Sequence, residues 1–161
     1  MTARQTNAAA DADRDPARVL RDVIDANASM TLATADRDGL PWASPVWFAH
    51  RDYLEFVWVS RPDARHSHNV AQRGDIAIVI FDSSVPVGQA RAVYIEAEAE
   101  QLGEGERQGA IEVYSERSLA HGAGRWTVAD ITGTAPHRLY RATASARYVL
   151  VGGDRRVPVP G

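Results

Sequence analysis

The spacing of apolar residues predicts one short helix ahead of a chain that is mostly β-strand. Asp15 can cap a helix and Pro16 suits its first position, so we expect a helix that ends at about Asn27. The apolar residues of this segment fall on one helical face: Val19, Leu20, Val23 and Ile24. Residues 1–14 are polar and small without a period, and we predict a disordered arm there.

From Met30 the pattern alternates with the period of two that is typical of strands. Three strands are predicted, at residues 30–35, 42–49 and 53–60, and short turns join them. Successive strands with such short connections indicate an antiparallel meander.

The second half of the chain alternates between helical and strand patterns. A helix is predicted from Pro62 to Gly74, because Pro favours the first helical position and Gly the end. The strand at residues 76–81 is apolar on both faces, which indicates a cover on each side. Further elements are predicted as a strand at 90–102, a helix at 104–119, a short helix at 127–133, and a last pair of strands at 137–143 and 146–151.

These elements predict a mainly β fold, a six- or seven-stranded antiparallel β-barrel with helical additions. We expect the barrel to close, because closure removes exposed sheet edges. A length of 161 residues without internal repeats fits a single domain, which we place at residues 15–161.

The composition limits the chemistry that the chain can perform. Its 18 basic and 21 acidic residues give a net charge of -3 without long runs of one sign, which argues against a nucleic-acid partner. Every basic residue is Arg, so a phosphate would be held by guanidinium, imidazole, hydroxyl or backbone N–H groups. Cys is absent, and redox chemistry would therefore need a bound cofactor.

Neither a membrane span nor a metal site is expected. No stretch approaches the roughly 20 apolar residues that cross a bilayer and the N-terminus lacks an apolar leader, so a cytoplasmic location is expected. His66 and His68 stand two residues apart in a predicted helix and would point in different directions, which makes them poor metal ligands.

A candidate phosphate site lies where the third predicted strand leads into the next helix. Ser60 and Arg61 precede this helix, and Arg65 and His66 fall in its first turns. Their side chains would converge near free backbone N–H groups and the positive end of the helix dipole. The alternative is an ordinary surface helix that is capped by Ser and carries solvated charges.

The neighbouring hairpin offers a surface for a flat heteroaromatic ring. Residues 44–48, with the sequence SPVWF, and Trp58 on the adjacent strand would lie beside the phosphate site. The alternative is that these aromatic residues belong to the core, which is the commoner place for them.

The order of these motifs resembles a known family. The chain carries in sequence MTLATADRDGLPWASPVWF, YLEFVWVSRPDARHSHNV, GDIAIVIFD and ARAVYIEAEAEQL. This order is similar to that of the FMN-binding split-barrel superfamily, also called pyridoxamine 5'-phosphate oxidase-like, over about residues 30–102. The resemblance implies a split barrel, bound FMN, and a homodimer with two flavin sites at its interface.

The resemblance also assigns roles to particular residues. Ser44, Pro45, Val46 and Trp47 would line the isoalloxazine ring and the ribityl chain. The phosphate would meet Val59, Ser60, Arg61, Arg65 and His66, with Arg91 approaching from a later strand and Trp126 reaching the partner's flavin. The sequence departs from the family in having His66 where Lys is usual. It also lacks the C-terminal signature of authentic pyridoxamine phosphate oxidases, so vitamin B6 oxidation is not expected.

The sequence therefore predicts an FMN-dependent oxidoreductase, with the catalytic residues, the substrate and the electron donor left open. One alternative is a reductase that uses a deazaflavin coenzyme. Another is a non-catalytic flavin- or haem-binding protein, since the chain has five His residues that could ligate haem iron. A structural barrel with an empty site is the third alternative.

Overall fold

The computed structural model describes residues 15–86, 88–151 and 155–160, so the arm predicted at residues 1–14 lies outside the described residues. The described part contains three α-helices, which are α1 (Pro16–Ala26), α2 (Arg65–Gln72) and α3 (Arg107–Ala120). The strands are β1 (Ser29–Ala35), β2 (Pro41–Trp47), β3 (Ala49–Arg51), β4 (Glu55–Ser60), β5 (Asp75–Phe81), β6 (Ala92–Gln101), β7 (Arg138–Val151) and β8 (Arg155–Pro158). Short 3-10 turns lie at Glu104–Glu106 and Val128–Ile131.

The strands form one antiparallel sheet that curls into a split barrel, which confirms the predicted fold class. The strand order is β2-β1-β5-β6-β7-β4-β3, and β8 pairs with the second half of β7. In the described part of the chain β2 pairs with β1 and β4 pairs with β7 and β3, so no ladder joins β2 to β4. The prediction of a closed barrel is therefore wrong, and side chains must bridge this gap.

The helix predicted at the N-terminus is confirmed. The N–H of Ala17 donates to the side chain of Asp15 over 3.0 Å, which caps α1 at the predicted residue. The apolar face of α1 is fully buried against the barrel: Val19, Leu20, Val23 and Ile24. Burial of this face rather than helix propensity accounts for the stability of so short a helix.

Two predicted strands have different limits in the structure, and each has a local cause. The predicted strand at 42–49 is interrupted at the buried Phe48, where the chain leaves the ladder with β1 and joins β4. The final pair of strands is in fact the single strand β7, because Ser145 is an extra residue opposite the Glu96–Ala97 register shift. Its hydroxyl donates to the Glu96 carbonyl over 3.1 Å, as fits a β-bulge rather than a turn.

The helix that was predicted from Pro62 begins at Arg65 and ends at Gln72. Pro62 instead lies in the turn before it. Gly74 does not close the helix with a left-handed residue but permits a close approach, because a Cβ there would lie 2.9 Å from the Ala99 carbonyl oxygen. The Ala99 N–H donates to the Gly74 carbonyl over 2.8 Å, which fixes the start of β5 against β6.

Alternate residues of β4 serve two cores. Phe56 and Trp58 point into the barrel and are fully buried, whereas Val57 and Val59 face α3 and a second apolar cluster. The β5 strand is different, because its outer residues Ala77 and Phe81 are exposed. The prediction that β5 is covered on both faces is therefore wrong for one chain taken alone.

A buried polar contact joins α2 to the β1–β2 hairpin and generates a stability prediction. The Asn69 amide donates to the Thr34 hydroxyl over 2.9 Å, and both side chains are buried. We expect Asn69→Ala to lower the free energy of unfolding by about 1–3 kcal/mol, because it leaves a buried hydroxyl without its donor. Urea unfolding measures this loss. The exposed neighbour His68→Ala is the control, and an equal loss in both variants would contradict the assigned contact.

Candidate functional site

His66 connects two hydroxyl groups from strands that do not pair with each other. Its Nδ1 lies 3.2 Å from the Ser44 hydroxyl on β2, and its Nε2 lies 2.8 Å from the Ser60 hydroxyl at the end of β4. Both serines are only 8% exposed. We call this set the Ser44–His66–Ser60 cluster, and it lies across the gap in the split barrel.

The chain between β4 and α2 places His66 in the cluster. After Ser60 a tight turn follows, in which the Ala64 N–H donates to the Arg61 carbonyl over 3.1 Å. The buried Ser67 hydroxyl donates to the same carbonyl over 2.8 Å and holds the first turn of α2 against this turn. The imidazole is thereby directed toward the two strands rather than toward solvent.

The cluster favours a neutral imidazole in the free protein. Burial lowers the pKa of His66 below its ordinary value of 6.5. Hydroxyl groups can donate or accept, so both contacts can be satisfied with either tautomer of the neutral ring. A bound anion would reverse this preference, because opposite charge nearby favours the protonated imidazole.

The two arginines that were predicted beside His66 have different surroundings. Arg61 is exposed and forms a bidentate pair with Asp63, with N–O distances of 3.0 and 3.1 Å. The Arg65 guanidinium instead lies over the Trp42 ring, with 4.5 Å from Cζ to the ring centroid. Because Arg65 has no ion pair with a carboxylate in the described residues, it is the cation available beside the cluster.

The predicted flavin-lining segment of β2 presents its residues to two different surroundings. Ser44 and Val46 face the barrel, and Pro45 is exposed on the other face. Trp47 packs edge-to-face against Tyr114 of α3, with ring centroids 4.8 Å apart. Trp126 contacts the same tyrosine at 5.7 Å, so the structure brings these two tryptophans into one aromatic cluster.

Val59 lies next to this aromatic cluster. It packs against the second core, and its backbone forms a hydrogen bond with the Tyr114 phenol that lowers the phenol's pKa. Burial outweighs that contact and raises the pKa of Tyr114 to about 12, so the phenol stays protonated at neutral pH.

Arg91 does not join the cluster within one chain. It precedes β6 and lines a small cavity beside Asp22 of α1 and Gln89. At the opposite end of β6, Gln101 pairs with Tyr140 of β7. Tyr140 in turn pairs with β4, so this end of β6 is the one near Ser60. Arg91 therefore lies at the far end of the sheet from Ser60, and its predicted approach to the phosphate stays a prediction.

Sequence reasoning predicted Ser44, Ser60 and His66 as site residues but not their mutual hydrogen bonds. It also missed the contribution of Asn69 and Trp42. The spacing of three residues between His66 and Asn69 was an available signal, because it places both on one face of α2. The Arg65–Trp42 contact joins distant parts of the chain and had no local signal.

A comparison with protein families identifies the fold family. A family model described as pyridoxamine 5'-phosphate oxidase matches residues 17–150. The chain belongs to the pyridoxamine 5'-phosphate oxidase family. This membership confirms the family resemblance seen in the sequence. The matched residues include the whole Ser44–His66–Ser60 cluster. No curated protein matches this member of the family by sequence.

Solved structures share the fold of this family member. A heme binding protein from Mycobacterium smegmatis is 20% identical with a TM-score of 0.70, covering 88% of this chain and 56% of that one. An FAD-binding protein from Mesorhizobium loti is 19% identical with a TM-score of 0.59, covering 81% and 90%. A putative pyridoxamine 5'-phosphate oxidase from Listeria innocua is 13% identical with a TM-score of 0.60, covering 81% and 94%. The present chain thus spans little more than half of the first of these proteins.

Among the described residues, none of the helices combines the length and the apolar character of a bilayer-spanning segment. Within the same residues no group of three His, Cys, Asp or Glu side chains is arranged to hold a metal ion. The cytoplasmic location stays a prediction.

The lowered pKa of His66 predicts a pH dependence of stability. In the unfolded chain the His66 imidazole takes up a proton near its ordinary pKa of 6.5, whereas in the folded chain burial lowers this pKa. The free energy of unfolding therefore decreases as the pH falls through about 6.5. His50 contributes in the same direction, because burial and then Arg117 lower its pKa. We expect His66→Gln to reduce the stability lost between about pH 7.5 and pH 5.5 in urea unfolding.

The control for this experiment is His68→Gln, which changes an exposed imidazole on the same helix. It should leave the pH dependence of unfolding close to that of the parent chain. A pH dependence that is unchanged in His66→Gln would contradict the buried, neutral state of His66.

Proposed function

We propose that this chain is a flavin-binding oxidoreductase that holds FMN at the Ser44–His66–Ser60 cluster. The observation that carries this proposal is the convergence of one imidazole and two buried hydroxyls at the gap between β2 and β4, with Arg65 beside them. Membership in the pyridoxamine 5'-phosphate oxidase family supports a flavin as the ligand.

The residues present fit a ribityl phosphate. A phosphate needs several hydrogen-bond donors and a positive charge, and here Ser44, Ser60 and His66 supply the donors. His66 can add charge by taking up a proton, and Arg65 can add a guanidinium that no described carboxylate neutralises. The His in place of the usual Lys therefore changes how the charge is supplied without removing the site.

The chemistry would come from the cofactor and the placement from the protein. Bound FMN would supply hydride or electron transfer. The backbone of β2 at Ser44, Pro45 and Val46 would line the ring and the ribityl chain, since this segment carries the Ser44 hydroxyl of the cluster. Trp47 and Tyr114 would form an apolar wall behind them and limit the access of water. The substrate and the electron donor are not assigned, and a deazaflavin coenzyme is the alternative ligand in the same phosphate site.

We further propose that two copies of the chain form a homodimer through the outer face of the sheet. This face is apolar and open, with Ala77 and Phe81 exposed and Val79 half-buried. A groove of about 500 Å³ runs across it beside Tyr94 and Tyr148. A second copy would cover these residues and could bring the partner's Arg91 or Trp126 toward the flavin.

The FMN proposal predicts which changes weaken binding. We expect Ser44→Ala together with Ser60→Ala to weaken FMN binding at least about tenfold, since each hydrogen bond to a charged phosphate is worth about 1.5–3 kcal/mol. Flavin fluorescence titration gives the affinities. Ser83→Ala, in the exposed loop after β5, is the matched control. If the double variant binds FMN as tightly as the control, the phosphate does not lie at this cluster.

The dimer proposal predicts a mass and a variant that changes it. Light scattering at micromolar concentration should give twice the 17.5 kDa chain mass. Val79→Glu should give the monomer mass, because it buries a charge in the proposed interface. Leu119→Glu, which changes an exposed apolar residue on α3, should remain dimeric. A monomeric parent chain would contradict a shared site.

Haem binding is a second candidate function because one exposed histidine has a ring nitrogen available to ligate iron. His121 is exposed at the end of α3, and its Nδ1 donates to the Arg117 carbonyl over 2.9 Å. This contact leaves the Nε2 lone pair free, as an axial haem ligand requires. A heme binding protein among the similar structures adds support.

The haem candidate is tested by adding haemin to the purified protein and recording its absorbance. A Soret band that shifts in His121→Ala, but not in His68→Ala, would favour haem. Flavin bands in the protein as purified, with no haemin-dependent shift that requires His121, would favour the flavin proposal.

A further inference from the structure

Trp42 is a large apolar side chain that the core does not use. It is 41% exposed, and its neighbour Leu40 on the β1–β2 hairpin is 57% exposed. The Arg65 guanidinium lies over the indole at 4.5 Å from the ring centroid. Exposed apolar side chains bordered by polar groups mark ligand-binding surfaces, and the guanidinium adds a positive charge to this one.

The Trp42–Arg65 pair lies directly beside the Ser44–His66–Ser60 cluster. Trp42 and Ser44 are two residues apart on one face of β2, which separates them by roughly 7 Å. Arg65 and His66 are consecutive at the start of α2. The contacts Arg65 to Trp42 and His66 to Ser44 therefore form two adjacent connections between the helix and the strand.

Two linked hydrogen bonds hold α2, β1 and β2 in register at this place. The Asn69 amide on α2 donates to the Thr34 hydroxyl over 2.9 Å, and that hydroxyl donates to the Trp42 carbonyl over 3.3 Å. The main chain at Trp42 is thus held from the helix and from β1, and the exposed indole projects from this fixed backbone.

We propose that the Trp42–Arg65 pair binds the nucleotide half of a dinucleotide, so that the flavin site takes FAD in preference to FMN. The inference rests on the proposed function, because it extends the ligand outward from the phosphate at His66. The adenine ring stacks on Trp42 or on the guanidinium plane, as bases do on aromatic and Arg side chains. The second phosphate lies within reach of Arg65, which no described carboxylate neutralises.

Calorimetric titration with FMN and with FAD tests this proposal. The parent chain should bind FAD about tenfold more tightly than FMN, which is the gain that one stacked base provides. Trp42→Leu should lose this preference and keep the FMN affinity of the parent chain. Trp42→Phe keeps an aromatic face and should retain most of the preference for FAD. This variant distinguishes the loss of stacking from a folding defect at the same position.

Leu54→Ala is the matched control, because Leu54 is also 41% exposed but lies on another hairpin. It should bind both flavins as the parent chain does. Equal affinity of the parent chain for FMN and FAD, or equal losses of both in Trp42→Leu, would overturn the preference for FAD while leaving the FMN site intact. Binding of neither flavin by the parent chain would contradict the proposed function itself.

Discussion

The organisation of the site depends on His66, whose ring joins two strands that share no backbone hydrogen bonds. A curled sheet with a gap leaves polar groups at the gap that water or side chains must satisfy. Here Ser44 and Ser60 meet opposite nitrogens of one ring, at 3.2 and 2.8 Å. The contact that closes the gap is thus also the set of donors that we propose for the phosphate.

This double use suits a histidine at the position where the family resemblance leads us to expect a lysine. A buried lysine without an anion would carry a costly charge, whereas burial keeps the His66 ring neutral. The neutral ring stabilises the free protein through its two hydroxyl partners. An arriving phosphate would favour the protonated ring and pair with it, so ligand binding and proton uptake would be coupled.

The surroundings of the cluster divide into a packed part and an open part. The contacts of Tyr114 with Trp47 and Trp126 pack α3 against β2 and against the segment that follows α3. On the other side, the Trp42 ring and the outer face of β5 remain exposed. We place the nucleotide half of the flavin at the exposed Trp42 and the second copy of the chain on the outer face of β5, because open apolar surfaces mark binding sites.

The sequence was sufficient for features that depend on local periodicity. The buried face of α1 and the inward residues of β6 follow directly from spacing, and the family resemblance supplied the split-barrel class. The sequence was insufficient to predict contacts between residues that are distant in the chain. The interruption at Phe48 arises from a change of pairing partner, and the bulge at Ser145 looks like a turn in the sequence. The two hydrogen bonds of His66 likewise join residues 22 and 6 positions away.

Titration of the His66 imidazole by NMR, with and without FMN, tests the central claim most directly. In the free protein its pKa should lie below 6.5, and bound FMN should raise it, because the phosphate stabilises the protonated ring. A His66 pKa that stays the same when FMN is bound would contradict a phosphate site at this residue.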